Sequence, residues 1–448
     1  MKYSVIGLGK LGASMAAGIA SRGYEVIGVD VLEENVNSIN QGNAPVQETN
    51  LQEVIQNNSS RIRATLEYTD AIINTDISFV IVPTPSEPNG RFSLKYAKEA
   101  FIEIGKALKN KNKYHLVVLT STVLPGSMRY GLIPLLEKHS GKSCGIDFGA
   151  CYSPEFIALG SIIYNFLNPD FNLVGEYDKK SGDLLEEAYM DIMVNNPPCK
   201  RMSIENAELT KVALNTFITS KITFANMLAD ITSHIPGGDI DAITDALGSD
   251  SRVGHKYLKG GLGYGGPCFP RDNIALTSMS EYIGSSAEMA KTTDKVNDDL
   301  TEKIGKDICS AVTGGVVGIL GLAYKPDTHV IEESQSIILA KYLKKCGFTV
   351  IGYDPLANDC VEKEAGDIIT VVNTLKECIK KSDVVVIATP DKEFAELNVS
   401  DLKNKIVYDC WRLLRSKLQK SSSLTYMALG VERNDYRIAL KLSDLWGG

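Results

Sequence analysis

The sequence predicts an α/β fold in which two doubly wound domains are joined by a helical central domain with a long spine helix. Three observations predict it. Short apolar runs alternate with helical patterns through the first half of the chain, the arrangement of a parallel sheet with crossover helices. A single helix-like stretch without proline then occupies residues 204–235. A second alternation of apolar runs and helices begins near Gly315. A chain of 448 residues also exceeds what one core can hold, so two or three domains are expected. We place their boundaries at 1–198, 199–300 and 301–448.

The elements follow in order. Residues 3–6, 25–29, 79–82 and 116–119 read as buried strands, each followed by glycine, proline or polar turn residues. The spine helix is stopped by Pro236-Gly237-Gly238. A helix of that length between two α/β regions serves as a spine or a dimer surface, so a homodimer through it is expected. In the second half, residues 316–320, 349–353, 384–388 and 405–408 read as strands. The halves also echo one another. The octet G-Y-E-V-I-G-V-D at 23–30 matches G-F-T-V-I-G-Y-D at 347–354, and I-V-P-T-P at 81–85 echoes I-A-T-P at 387–390. Two matches in the same order favour a repeated nucleotide-binding architecture, and hence two nucleotide-like ligands.

Composition narrows the function classes. A net charge of −8 argues against a nucleic-acid binder, whose footprint is basic. It leaves room for an anionic ligand held by a local nest of backbone N–H groups. Nine cysteines without C-x-x-C pairs read as reduced thiols, and five isolated histidines show no ligand spacing, so no metal site is expected. The first residues run straight into a strand-like segment without the features of a signal peptide. No apolar run approaches the roughly 18 residues of a membrane span. A cytoplasmic protein with no membrane partner is expected.

The first strand is followed directly by Gly7-Leu8-Gly9-Lys10-Leu11-Gly12, which opens a helical segment. In that context Gly7 permits a tight turn, Gly9 lets the backbone approach a pyrophosphate, and Gly12 lets helix and strand pack closely. Gly7, Gly9, Lys10, Leu11 and Gly12 are therefore expected to hold the cofactor phosphates at a helix N-terminus. Asp30 ends the next strand, where a carboxylate bonds a ribose 2′-OH and repels a 2′-phosphate, so NAD is expected over NADP. The halves are expected to be Rossmann-like.

The most informative segment is G-G-L-G-Y-G-G-P-C-F-P-R-D at 260–272, whose glycines let the backbone wrap closely around a ligand. It resembles the G-x-G-Y-G-G-x-C-F-P-K-D signature of the UDP-glucose/GDP-mannose dehydrogenase family. The resemblance extends through V-P-T-P at 82–85, S-T-V at 121–123, S-P-E-F at 153–156, L-N-P-D at 167–170 and G-L-A-Y-K-P at 321–326. It implies NAD-dependent oxidation of a nucleotide-sugar CH₂OH to a carboxylate in two hydride transfers. An aldehyde does not readily give up a second hydride, whereas its thiohemiacetal with a cysteine does, and the resulting thioester is hydrolysed by water.

By resemblance Cys268 is that nucleophile, although a small buried thiol is the commoner fate of a cysteine. Glu208, Lys211 and Asn215 share one face of the spine helix. A polar stripe of this kind is usually just solvated. The resemblance instead directs Lys211 and Asn215 at the reacting oxygen, to stabilise its negative charge, and leaves Glu208 structural. Asp272 resembles a carboxylate that assists water or cysteine, and Glu155 a general base acting with a water held by Thr122. The plainer readings are a helix cap for Asp272 and a ribose or water ligand for Glu155. Thr84, Thr122 and Arg271 match cofactor positions. Phe156, Tyr257, Leu258, Gly261, Gly265 and Lys325 are placed around the UDP-sugar, with Arg252 reaching from a neighbouring subunit. The plainer readings are core packing for Tyr257 and a surface charge for Lys325.

Several residues depart from the family pattern. Leu159 replaces an acidic residue, Arg271 a lysine, Glu332 an arginine, Pro267 a serine and Phe171 an arginine. The departures keep two alternatives open, a two-electron 3-hydroxyacid-type dehydrogenase and a catalytically silent nucleotide-sugar binder. The resemblance favours a UDP-sugar, UDP-glucose or a UDP-N-acetylhexosamine, over GDP-mannose, and the residues themselves do not distinguish the three.

Overall fold

The computed structural model describes residues 1–157, 160–432 and 436–447, and Leu159 lies outside these. By packing, the chain forms two compact units, Met1–Leu214 and Asn215–Gly448.

The strands of the first unit are β1 (Tyr3–Ile6), β2 (Val26–Val29), β3 (Ile62–Thr65), β4 (Ile77–Val80), β5 (Leu116–Leu119), β6 (Gly149–Tyr152), β7 (Asn172–Glu176) and β8 (Cys199–Ser203). They form one sheet in the order β3-β2-β1-β4-β5-β6-β7-β8, parallel throughout except between β6 and β7. Tyr3 stands opposite Val26 on one side and Ile77 on the other. The chain thus starts in the middle, winds outward through β2 and β3, and returns beyond β1 as β4. That reversal leaves a crevice outside the carboxyl ends of β1 and β4. Every residue of β1, β2, β4, β5 and β6 is buried, as expected for strands covered by helices on both faces. One core gathers around Tyr3, Leu8 and Phe79, and a second around Ile6, Phe101 and Tyr152 on the opposite face.

In the second unit β9 (Val316–Leu320), β10 (Thr349–Tyr353), β11 (Thr370–Val371), β12 (Val384–Ile387), β13 (Ile406–Asp409) and β14 (Thr425–Ala428) form a wholly parallel sheet. Its order, β11-β10-β9-β12-β13-β14, repeats that of the first six strands. The expected pair of doubly wound, Rossmann-like domains is observed.

Element limits moved little. The run expected at 79–82 is a strand over Ile77–Val80, because pairing with β1 starts at Ile77. Val82 has already left the ladder, its N–H and C=O both bonded to the Ser121 hydroxyl. The spine helix spans Ile204–Thr232, three residues shorter than expected. Among the described residues no helix is long and apolar enough to cross a membrane, and no cluster of His, Cys, Asp or Glu is arranged to hold a metal ion.

Candidate active site

In the first unit five of the residues singled out on the sequence lie beyond the carboxyl ends of successive strands: Gly7 after β1, Asp30 after β2, Thr84 after β4, Thr122 after β5 and Glu155 after β6, whereas L-N-P-D at 167–170 precedes β7. Gly7 has φ of +97°, and a Cβ there would lie 2.2 Å from the Ile81 carbonyl oxygen. A Cβ on Gly12 would lie 1.8 Å from the Gly7 carbonyl oxygen, so β1 and the helix Lys10–Ser21 approach closely only because residue 12 is glycine. Gly9 differs: a Cβ there would meet nothing within 4 Å. It faces open space at the N-cap of that helix, and no side chain caps the first turn. The N–H groups at Lys10 and Leu11 therefore present positive potential to an anion.

Asp30 accepts the Leu8 N–H at 2.7 Å on one carboxylate oxygen and the Leu32 N–H at 2.9 Å on the other. A carboxylate has about four acceptor sites, so each oxygen retains capacity for a ribose hydroxyl. The corresponding residue of the second unit, Asp354, does not. It is buried and accepts four backbone N–H groups, from Leu322, Ala323, Leu356 and Ala357. The octet repeat thus marks the same place in both folds, and in the second unit its aspartate organises a turn.

Thr84 donates to the Thr122 carbonyl at 2.8 Å, tying the β4 and β5 loops together. Lys211 is buried, and its ammonium donates to the Glu155 carbonyl at 2.7 Å and lies 4.6 Å from the centre of the Phe156 ring. The Glu155 side chain is half-buried, and desolvation raises its pKa to about 7 against the opposing pull of Lys211. Phe171, one of the departures, stacks its ring 5.1 Å from that of Phe156. Glu208 is buried and accepts the N–H groups of Gly126 at 2.6 Å and Met128 at 2.9 Å, which fixes the loop after β5. Its expected structural role is what the bonds describe.

In the second unit Cys268 is exposed at the N-cap of the helix Phe269–Tyr282. Asp272 lies in the first turn of this helix, buried, and accepts from the Asn215 amide at 2.6 Å. The Arg271 guanidinium approaches its other oxygen at 3.7 Å. Asp272 therefore does not cap the helix with its side chain; it pairs with the spine helix. Burial, together with the nearby Cys268 sulfur, raises the pKa of Tyr324 to about 12.

A cavity of about 290 Å³ opens between the glycine segment and the carboxyl ends of the second sheet. Of the expected substrate residues, Tyr257, Gly265 and Lys325 line it. Tyr257 is half exposed with φ of +62°, so core packing is not its role. Leu258 and Gly261 are buried: the Gly261 N–H donates to Asn226 at 2.9 Å, and a Cβ there would lie 2.5 Å from the Trp411 ring. Arg252 is exposed and paired with Asp250 at 2.6 Å. Sequence reasoning missed Trp411 and Thr389 in the cavity wall. The 387–390 echo already pointed to Thr389, whereas no motif marks Trp411.

Residues 1–193 match the NAD-binding domain of the UDP-glucose/GDP-mannose dehydrogenase family, 205–299 its central domain and 318–416 its UDP-binding domain. The chain belongs to the UDP-glucose/GDP-mannose dehydrogenase family. Among characterised relatives, UDP-glucose 6-dehydrogenase AglM of Haloferax volcanii is 34% identical over 422 residues, covering 92% of this chain and 97% of that protein. GDP-mannose 6-dehydrogenase of Pseudomonas aeruginosa is 33% identical over 411 residues, covering 89% and 93%. The structure of a UDP-glucose dehydrogenase from Pyrobaculum islandicum superposes with a TM-score of 0.85 at 30% identity, covering 96% of this chain and 98% of that one. As a family member the chain is an NAD-dependent nucleotide-sugar dehydrogenase. Neither the hydroxyacid-type reading nor the silent-binder reading is favoured by these relatives.

Proposed function

We propose that this dehydrogenase oxidises C6 of a UDP-sugar to the carboxylate, R-CH₂OH + 2 NAD⁺ + H₂O giving R-COO⁻ + 2 NADH + 3 H⁺, with Cys268 holding the half-oxidised sugar. The observation that carries this is an exposed cysteine at the head of a helix whose first turn buries Asp272 against Asn215. A helix N-terminus favours negative charge, and hence the thiolate that attacks a carbonyl. NAD supplies the hydride acceptor, and Asp30 with the open face at Gly9 suits an adenosine ribose and a pyrophosphate.

The remaining roles are those the family resemblance implies, and charge and hydrogen-bonding capacity suit them. Lys211 and Asn215 donate to the C6 oxygen as it gains alkoxide and then oxyanion character. Glu155, with Thr122 positioning the water, takes a proton as the thioester is hydrolysed. Asp272 keeps the Asn215 amide oriented, and Arg271, paired with it, serves the cofactor. Lys325 faces the diphosphate from the cavity wall. The functional division into 1–198, 199–300 and 301–448 assigns NAD, chemistry and UDP-sugar to successive segments. Arg252, exposed, completes the site of a partner subunit in a homodimer built on the spine helix, and the enzyme works in the cytoplasm on precursors of polysaccharides.

The test is stoichiometry. The enzyme should yield two NADH per UDP-sugar consumed. Cys268→Ser should cut formation of the acid by at least about a thousandfold. One NADH per sugar with release of free aldehyde as the end product would overturn the reading. A panel of UDP- and GDP-sugars, scored by NADH, identifies the base and the hexose.

A further inference from the structure

The segment that leads to Cys268 begins at Gly260, and what fastens it there is a buried arginine that no motif marks. The Arg412 side chain is 1% exposed, and all five of its N–H donors are engaged. Nε and Nη2 form a fork on the Asp241 carboxylate at 2.8 and 3.0 Å. Nη1 donates to the carbonyls of Leu429 at 2.9 Å and Cys410 at 3.4 Å. The remaining Nη2 donor reaches the Gly260 carbonyl at 2.6 Å. The residue holds φ of +57°, an unfavourable conformation for a side chain of this kind, which persists only where the surroundings over-determine it.

Gly260 has no freedom on its other sides. A Cβ there would lie 2.8 Å from Ala229 and 3.1 Å from Ile240. The next residue, Gly261, is bonded by its N–H to Asn226 and packs against the ring of Trp411. Trp411 lines the cavity, and its indole donates to the Ala388 carbonyl at 2.7 Å. The dipeptide Trp411-Arg412 therefore supplies part of the cavity wall and fixes the origin of the glycine segment that supplies another part. Arg412 itself does not line the cavity.

We propose that Arg412 is a positioning residue for the nucleotide-sugar site: its guanidinium fixes the Gly260 carbonyl, and with it the seating of the glycine segment against Trp411 that shapes the cavity. This rests on the reading of the cavity as the UDP-sugar site. A lysine cannot replace the fork, since it offers a point charge in place of five fixed donors.

The test uses the full-length enzyme and three variants, Arg412→Lys, Asp241→Asn and Asp239→Asn. Asp239 pairs with Arg415 at 2.8 Å and caps the helix that carries Asp241, a cap that asparagine keeps. Among the described residues its side chain has no bond to the glycine segment, so it reports general loosening. Binding of UDP alone is measured by calorimetry, and KM is measured for the UDP-sugar and for NAD. R412K is expected to weaken UDP and raise the UDP-sugar KM by about tenfold, with the NAD KM within about twofold of the parent. D241N, which keeps one acceptor, should move the same quantities in the same direction by less and covers the case in which R412K does not fold. D239N should leave them unchanged. UDP affinity unchanged in both R412K and D241N, or weakened equally in D239N, overturns the proposal. A parent enzyme that binds no UDP overturns the reading of the cavity, and the role assigned to Arg412 falls with it.

Discussion

In the proposed reaction Glu155 is the carboxyl group whose ionisation bears most directly on the rate. Burial raises its pKa to about 7, with Lys211 opposing, so it changes charge within the working range of pH. A general base acts only when ionised, so kcat/KM should rise with pH through about 7 and level off above it. The same shift has a sign for stability. A carboxyl with a folded-state pKa above its ordinary value contributes stability fully below about 4.5 and loses it as pH rises through about 7. Activity and stability should therefore diverge across this window. Glu155→Gln should lower kcat by about 10²- to 10⁴-fold and abolish the acid limb of the profile. It should spare the placement of Lys211, whose bond is to the Glu155 backbone carbonyl. An acid limb that survives in the variant would assign the titration to another group. None of this was legible in the sequence beyond the identity of Glu155, because the burial that raises the pKa is set by the fold, as is the opposing lysine 56 positions away.

At the scale of the element, the turn from β1 into the helix Lys10–Ser21 shows three glycines doing different work in one hexapeptide. Gly12 is needed by the protein itself, since a Cβ would run into the Gly7 carbonyl at 1.8 Å. Gly9 is not needed by the protein's own packing, since a Cβ there would meet no protein atom within 4 Å and its φ of −69° suits alanine, so in the proposed function it serves the bound pyrophosphate. Gly12→Ala should thus lower stability by about 1–3 kcal/mol, read as a drop in the thermal midpoint. Gly9→Ala should leave the midpoint in place and raise the NAD KM by about tenfold, roughly 1.4 kcal/mol. A G9A enzyme with unaltered NAD KM would place the pyrophosphate elsewhere. Elements of this kind were readable because local sequence dictates them: an apolar run, a turn that only glycine makes, then a helix. β8, Cys-Lys-Arg-Met-Ser, was not, since it has no buried residue and joins the sheet through pairing with β7.

Across the whole molecule, one strand order occurs twice, and the octet at 23–30 and 347–354 marks the repeat in the sequence. Its chemistry did not repeat. Ala323 follows Leu322 where Gly9 follows Leu8, and Asp354 spends its acceptors on four backbone N–H groups. Of the two nucleotide-like sites expected, one is a dinucleotide-type turn and the other a cavity lined by aromatic rings. Trp411 and Arg412 stayed hidden because their partners lie about 150 positions earlier in the chain. The exposed face of the spine helix bears on the homodimer proposed above. Phe217, Phe224, Met227 and Ile231 are all exposed on it, at spacings of seven, three and four residues. That is the a/d rhythm of a helix that packs against a partner, and large apolar side chains in a continuous stripe are rarely left in water. If the stripe joins two copies, the parent should sediment as a dimer, and Phe217→Glu with Phe224→Glu should yield a folded monomer. Each buried glutamate would need a partner that an apolar seam does not offer. A parent that sediments as a monomer at micromolar concentration would leave the stripe without this role and remove Arg252 from a neighbour's site.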